Sequence, residues 1–149
     1  VNHVVLTGGE PCMYDLTYLT WLLHNANRYQ TGSYTKRFTT QIETSGTFHV
    51  QTHSDTWVTV SPKIGKSIAG GLPLVPQALK RANEIKYPVG KQQDIDNLKD
   101  LIEEYDLDKK QIWLQPLSVN EKTTELCIEQ CMLYNWRLSV QTHKYVKVR

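Results

Sequence analysis

Short apolar runs rich in β-branched residues alternate along this chain with stretches whose apolar positions repeat at helical spacing. The runs predict strands at His3–Thr7, Thr40–Thr44, Trp57–Ser61, Glu84–Pro88, Ile112–Gln115 and Arg137–Gln141. Between the first two, Leu16, Leu19, Leu23 and Ala26 recur on one helical face, with Asp15 placed to cap it. Val75, Ala78, Leu79 and Ala82 form a shorter stripe. Ile95, Leu98, Leu101 and Ile102 form a third, with Lys and Asp on the opposite face. Cys127, Cys131 and Tyr134 begin a fourth face behind a cap at Ser118 or Asn120. Such alternation predicts an α/β fold with a mostly parallel sheet and helices outside it. The polar, aromatic and basic stretch Asn27–Phe38 reads as a surface insertion, either an exposed loop or a helix tail.

At 149 residues the chain is about one domain's worth and can bury roughly 70% of its unfolded surface. Hydrophobic residues make up 40% and charged residues 21%, which excludes a disordered or coiled-coil chain. A net charge of +2 gives no reason to expect direct nucleic-acid binding. No apolar run approaches the ~20 residues of a membrane span, so no membrane partner is expected. Three cysteines are too few and uneven for a disulfide scaffold and point to a reducing, cytoplasmic compartment. The first residue is Val1, almost directly before a strand, so the chain reads as the back part of a longer protein.

Ligands of parallel α/β folds collect at the carboxyl ends of the strands, where the sheet fixes the following loops. Five small or polar clusters stand there: Thr7-Gly8-Gly9-Glu10-Pro11, Glu43-Thr44-Ser45-Gly46-Thr47, Ser61-Pro62-Lys63, Gln115-Pro116 and Gln141-Thr142-His143-Lys144. In the first, Gly8 and Gly9 allow positive φ and close approach to a ligand, and Glu10 offers a carboxylate to an ammonium group. The same residues also suit a plain strand-to-helix turn. Glu43–Thr47 alone reads better as a turn between Ile42 and Phe48, and Lys63 alone as a solvated lysine.

Other patterns carry less. Gly65-Lys66-Ser67 lacks the earlier glycine of a phosphate-binding loop, because Val60 stands there. His49 and His53 have the spacing of a zinc pair only on a helix; in an extended segment they are roughly 13 Å apart. Cys127 and Cys131 read as small core residues, Cys12 as a packing residue beside the suspected pocket, and Asp94 and Asp96 as a solvated helix face.

Val4-Val5-Leu6-Thr7-Gly8-Gly9-Glu10-Pro11 resembles the GGEP segment of radical S-adenosylmethionine enzymes. Five further segments narrow the likeness: Gln41–Thr47, Trp57–Lys63, Arg81–Lys86, Leu114-Gln115-Pro116 and Asn135–Lys144. In this order they resemble the 7-carboxy-7-deazaguanine synthase family along essentially the whole chain. The resemblance implies a radical S-adenosylmethionine βα barrel, of which residues 1–149 would be the C-terminal part of a single core domain. It implies a 4Fe–4S cluster that cleaves S-adenosylmethionine, and a radical that takes hydrogen from 6-carboxy-5,6,7,8-tetrahydropterin. The ring then contracts to 7-carboxy-7-deazaguanine with loss of ammonia and help from Mg2+, in the queuosine precursor pathway. It also implies a reducing partner such as flavodoxin or ferredoxin, and a homodimer.

By the same resemblance, Gly8, Gly9 and Glu10 hold the methionyl amino group. Ser45, Ser61 and Lys63 line the ribose and carboxylate side of S-adenosylmethionine, and Gln115 the adenine side. Thr7 and His143 face the pterin, and the terminal carboxylate of Arg149 accepts from its guanidine-like edge. The family's C-x3-C-x2-C cluster set does not occur in the sequence, and no catalytic residue is assigned. The front that would carry it, with the magnesium contact, amounts to about two strand–helix units, roughly 60 residues. The chain as given is therefore expected to bind part of a ligand without turnover, and to leave the edge of the first strand unpaired. Another radical S-adenosylmethionine enzyme, such as a glycyl-radical activase, and a non-catalytic small-molecule-binding domain are the alternatives.

Overall fold

The computed structural model describes residues 2–25, 38–63, 72–117 and 119–146. They divide into two compact units, Val1–Val60 with Leu72–Asn83, and Ser61–Gly71 with Glu84–Arg149. In the first, β1 (His3–Leu6), β2 (Thr39–Thr44) and β3 (Trp57–Val60) are parallel neighbours, with Leu6 opposite Ile42 and Thr44 opposite Val60. Their carboxyl ends therefore lie level. Thr40, Ile42 and Thr44 of β2 are buried, and Gln41 and Glu43 on its other face are half-buried. That second face is polar: His3 Nε2 is hydrogen-bonded to Gln41 Oε1 (3.1 Å), and Gln41 Nε2 donates to Thr59 Oγ1 (2.9 Å). Parallel strands covered by helices on both faces are ordinarily apolar on both. A polar second face is what a ligand-lining surface needs.

Helix α1 (Thr17–Asn25) begins where Asp15 accepts from the Thr17 amide at 2.9 Å, as its capping role predicts. The leucine stripe is not its buried face. Leu19 is 40% exposed, whereas Thr20 is fully buried. The Thr20 hydroxyl donates to Leu16 O (2.7 Å) and accepts from the His53 amide (2.8 Å), so burying it leaves no polar atom unsatisfied. Ala26 and nearly all of the Asn27–Phe38 insertion lie outside the described residues. Of the second stripe, Ala78, Leu79 and Ala82 are buried as predicted, on and just after α2 (Pro76–Arg81), whereas Val75 is only half-buried.

Arg81 pins the turn before β3. Its guanidinium donates to His53 O (3.2 Å), Ser54 O (3.0 Å) and Thr56 O (2.8 Å). Arg81→Met leaves these carbonyls without their charged donor and should lower stability by about 2 kcal/mol, read as a fall in the urea unfolding midpoint. An unchanged midpoint would show that water replaces the guanidinium without loss.

In the second unit, β4 (Glu84–Val89), β5 (Gln111–Pro116) and β6 (Arg137–Leu138) are parallel, with Pro88 opposite Gln115 and Trp113 opposite Arg137. Ile95, Leu98, Leu101 and Ile102 of α3 (Gln92–Tyr105) are buried, as their spacing requires. Asp94 is not a solvated residue but part of the cap, accepting from the Gly90 (2.7 Å) and Lys91 (3.0 Å) amides. Helix α4 (Glu121–Tyr134) is capped by Asn120, which accepts from the Thr123 amide; Ser118 lies outside the described residues. Cys127 is buried, but Tyr134 is 41% exposed and does not continue that face. The last predicted strand is shorter than Arg137–Gln141. After Leu138 the Thr142 amide donates to Val140 O (3.0 Å), turning the chain into the short helix α5 (Thr142–Tyr145). Among the described residues, no helix is long and apolar enough to cross a membrane.

Candidate ligand-binding site

The chain leaves β1 through two glycines in the left-handed region, Gly8 (φ +88°) and Gly9 (φ +55°). A Cβ at either would meet nothing within 4 Å. These positions therefore require glycine for its conformation alone, and the space beside the turn is open. Glu10 then caps a 3-10 turn, Pro11–Met13.

The Glu10 side chain reaches back across the sheet end to the turn after β2. Oε1 accepts from the Cys12 amide (3.1 Å) and the Thr44 hydroxyl (2.6 Å). Oε2 accepts from the Ser45 amide (2.8 Å) and the Ser45 hydroxyl. Ser45 Oγ also meets Thr47 Oγ1 at 2.8 Å, and Thr44 Oγ1 accepts from the Gly46 amide at 3.1 Å. One carboxylate thus locks two strand-end turns together. Burial pushes the Glu10 carboxyl pKa up, but these hydroxyl and amide donors outweigh it and hold the group below its ordinary range. Glu10 is therefore an anion at neutral pH, surrounded by donors.

Thr7 lies exposed at the mouth of this turn. The structure thus joins Thr7, Gly8, Gly9 and Glu10 with Ser45 in the first unit. The remaining positions belong to the second unit: Ser61 half-buried, Lys63 exposed, Gln115 half-buried near the end of β5, and His143 exposed on α5. Gln111, Trp113 and Gln115 share one face of β5. Arg137 donates to Gln111 Oε1 (2.8 Å) and stands 5.2 Å over the Trp113 ring, whose indole N–H has no partner among the described residues. Arg149 lies outside the described residues, as does Gly65-Lys66-Ser67.

Thr44 and Thr47 were not singled out by the sequence as site residues. Their hydroxyls were visible as a cluster, but only the register of Leu6 against Ile42 shows which of them reaches Glu10. Cys12 is buried, and burial raises its thiol pKa, in keeping with a packing role. The Cys127 thiol is likewise pushed up to about 11, first by burial and then by Cys131.

The crystal structure of QueE from Escherichia coli is similar to this chain, with a TM-score of 0.82 and 49% identity, over 94% of this chain and 57% of that one. This likeness defines the class: an α/β fold of the radical S-adenosylmethionine barrel type, with parallel strands and helices, as expected from the sequence. The particular relatives are 7-carboxy-7-deazaguanine synthases. That of Escherichia coli (strain K12) is 50% identical over 148 residues, 99% of this chain and 61% of the relative. That of Buchnera aphidicola is 41% identical over 149 residues, again 99% of this chain and 61% of the relative. That of Bacteroides thetaiotaomicron is 35% identical over 147 residues, 98% of this chain and 65% of the relative. The chain is a homologue of these synthases along nearly its whole length, and it spans about three fifths of theirs. No protein-family model matches it.

Proposed function

We propose that this chain is the C-terminal, ligand-binding part of a single radical S-adenosylmethionine core domain. The whole protein would convert 6-carboxy-5,6,7,8-tetrahydropterin to 7-carboxy-7-deazaguanine with loss of ammonia, on the route to queuosine. The observation that carries this reading is the 50% identity to the Escherichia coli synthase over 99% of the chain. The Glu10 turn supports it physically, because open glycine backbone beside a buried-edge carboxylate suits a bound ammonium group.

Both Glu10 oxygens already accept two protein donors each. The methionyl ammonium is therefore received by backbone carbonyls of the Thr7–Glu10 turn, which the positive φ of Gly8 and Gly9 reorients, while Glu10 supplies the counter-charge nearby. By the resemblance alone, Ser45, Ser61 and Lys63 would face the ribose and carboxylate, Gln115 the adenine, and Thr7 and His143 the pterin. S-adenosylmethionine, when bound, supplies the hydrogen-abstracting chemistry of the ring contraction.

The cysteines of this chain do not fit a 4Fe–4S cluster. Cys12 stands after β1 in one unit, Cys127 and Cys131 on α4 in the other, and burial holds all three thiols above their ordinary pKa. No step is assigned to them. Mg2+, a flavodoxin- or ferredoxin-like donor, a homodimer and a cytoplasmic location belong to the same reading.

Anaerobic incubation of the reconstituted full-length protein with the carboxy-tetrahydropterin should yield 7-carboxy-7-deazaguanine. S-adenosylmethionine binding without product would favour a non-catalytic domain instead. His143→Ala should lower turnover about tenfold, the worth of one substrate hydrogen bond, with S-adenosylmethionine affinity kept. Equal loss of both would remove His143 from the pterin side.

A further inference from the structure

At the opposite end of the first unit's strands stands a group of residues that the reading above does not use. His24 lies near the end of α1, and His53 and Asp55 lie in the turn before β3. One ring nitrogen of each histidine and a carboxylate oxygen of Asp55 all lie within 4.8 Å of one another. We propose that His24, His53 and Asp55 form a binding site for a divalent transition metal ion of the zinc class.

The chemistry of the donors selects the ion. Two imidazoles and one carboxylate suit Zn2+, which takes three protein ligands and completes a tetrahedron with water, whereas Mg2+ and Ca2+ want oxygen ligands. The rings are half-buried with centroids 4.8 Å apart. Thr40 Oγ1 holds His24 Nε2 at 2.8 Å and is itself bonded to Thr56 Oγ1 at 2.9 Å. That leaves His24 Nδ1 for the ion, with the other ring nitrogen fixed by an oxygen, the usual support of a metal-bound imidazole. The Ser54 hydroxyl donates to Asp55 Oδ1 (3.2 Å), leaving Oδ2 available.

The backbone bearing His53 is also fixed. Its amide donates to Thr20 Oγ1, and its carbonyl accepts from Arg81. Bonds of 2.0–2.1 Å would bring tetrahedral ligand atoms to about 3.3 Å, so the side chains close by rotating on an already held frame. The ion would tie α1 to the turn before β3. Thr40 is four residues before Thr44, roughly 13 Å along β2, so this site is separate from the Glu10 turn.

The test is zinc titration by calorimetry of the full-length, cluster-loaded protein. Wild type should bind one more Zn2+ than His24→Gln or His53→Gln. Asp55→Asn, at an exposed position, should bind that ion at least about tenfold more weakly while keeping S-adenosylmethionine affinity. Equal zinc stoichiometry and affinity in wild type, His53→Gln and Asp55→Asn would overturn the site. If His53→Gln does not fold, wild type against Asp55→Asn decides alone. S-adenosylmethionine titration reads the Glu10 turn separately, so failure there leaves the zinc result standing.

Discussion

Glu10→Gln should weaken S-adenosylmethionine binding at least about tenfold and cost the fold about 3 kcal/mol. An amide of the same shape keeps one acceptor oxygen but turns an N–H toward donors. Either the Thr44 and Cys12 pair or the Ser45 pair then faces a donor instead of a carboxylate oxygen. The pH dependence separates the charge from the packing. The folded Glu10 carboxyl lies below its ordinary value of 4.5, because hydroxyl and amide donors overcome the effect of burial. A depressed folded pKa means that its contribution is complete above the unfolded value and is lost as pH falls through the folded one. The stability gap between wild type and Glu10→Gln should stay constant near neutrality and narrow on acidification below 4.5, in urea unfolding across pH. A gap that ignores pH would mean that the carboxylate charge contributes nothing. Calorimetry of S-adenosylmethionine binding checks the affinity loss.

Gly46→Ala should cost about 3 kcal/mol, from two independent causes. Gly46 has φ +80°, and an added Cβ would stand 2.8 Å from Val60 Cγ1 and 3.4 Å from Leu74 Cδ2. Val60 is fully buried on β3 and cannot swing aside. In a domain of this size such a loss lowers Tm by roughly 6–12 °C. Gly8→Ala is the control. Its φ is +88° but no atom lies within 4 Å, so only the conformational cost remains, about 1 kcal/mol. Equal falls in Tm for the two variants would show that the Val60 contact is relieved without cost. A smaller fall for Gly8→Ala assigns the difference to packing.

Five of the six strands were legible to within one or two residues, because an apolar run bounded by polar turn residues is a local signal. The α2 and α3 stripes were legible for the same reason. The face of α1 was not. Counting leucines selects Leu16, Leu19 and Leu23, yet Thr20 is the residue that goes inside. A threonine hydroxyl bonded to Leu16 O and to the His53 amide can be buried at little cost, and that partner comes from a distant turn. Tyr134 was misread likewise, since the exposed end of α4 satisfies the same spacing as its buried middle.

The site divides along the same line. The glycine turn and its carboxylate stood out in the sequence, as did the hydroxyl-rich turn after β2. That Glu10 is spent on locking the two turns together, rather than left free for a ligand, follows only from the register of β1 against β2. His53 was paired in sequence with His49, which is exposed, whereas its neighbour in space is His24.

By itself, then, the sequence determined what depends on residues a few positions apart: strand and helix periods, the Asp15 cap, and the left-handed glycines. Tertiary structure alone decided which distant side chains meet. Those meetings are set by strand register and helix placement, the summed outcome of many weak contacts made across long stretches of chain, and no short window of sequence contains that sum.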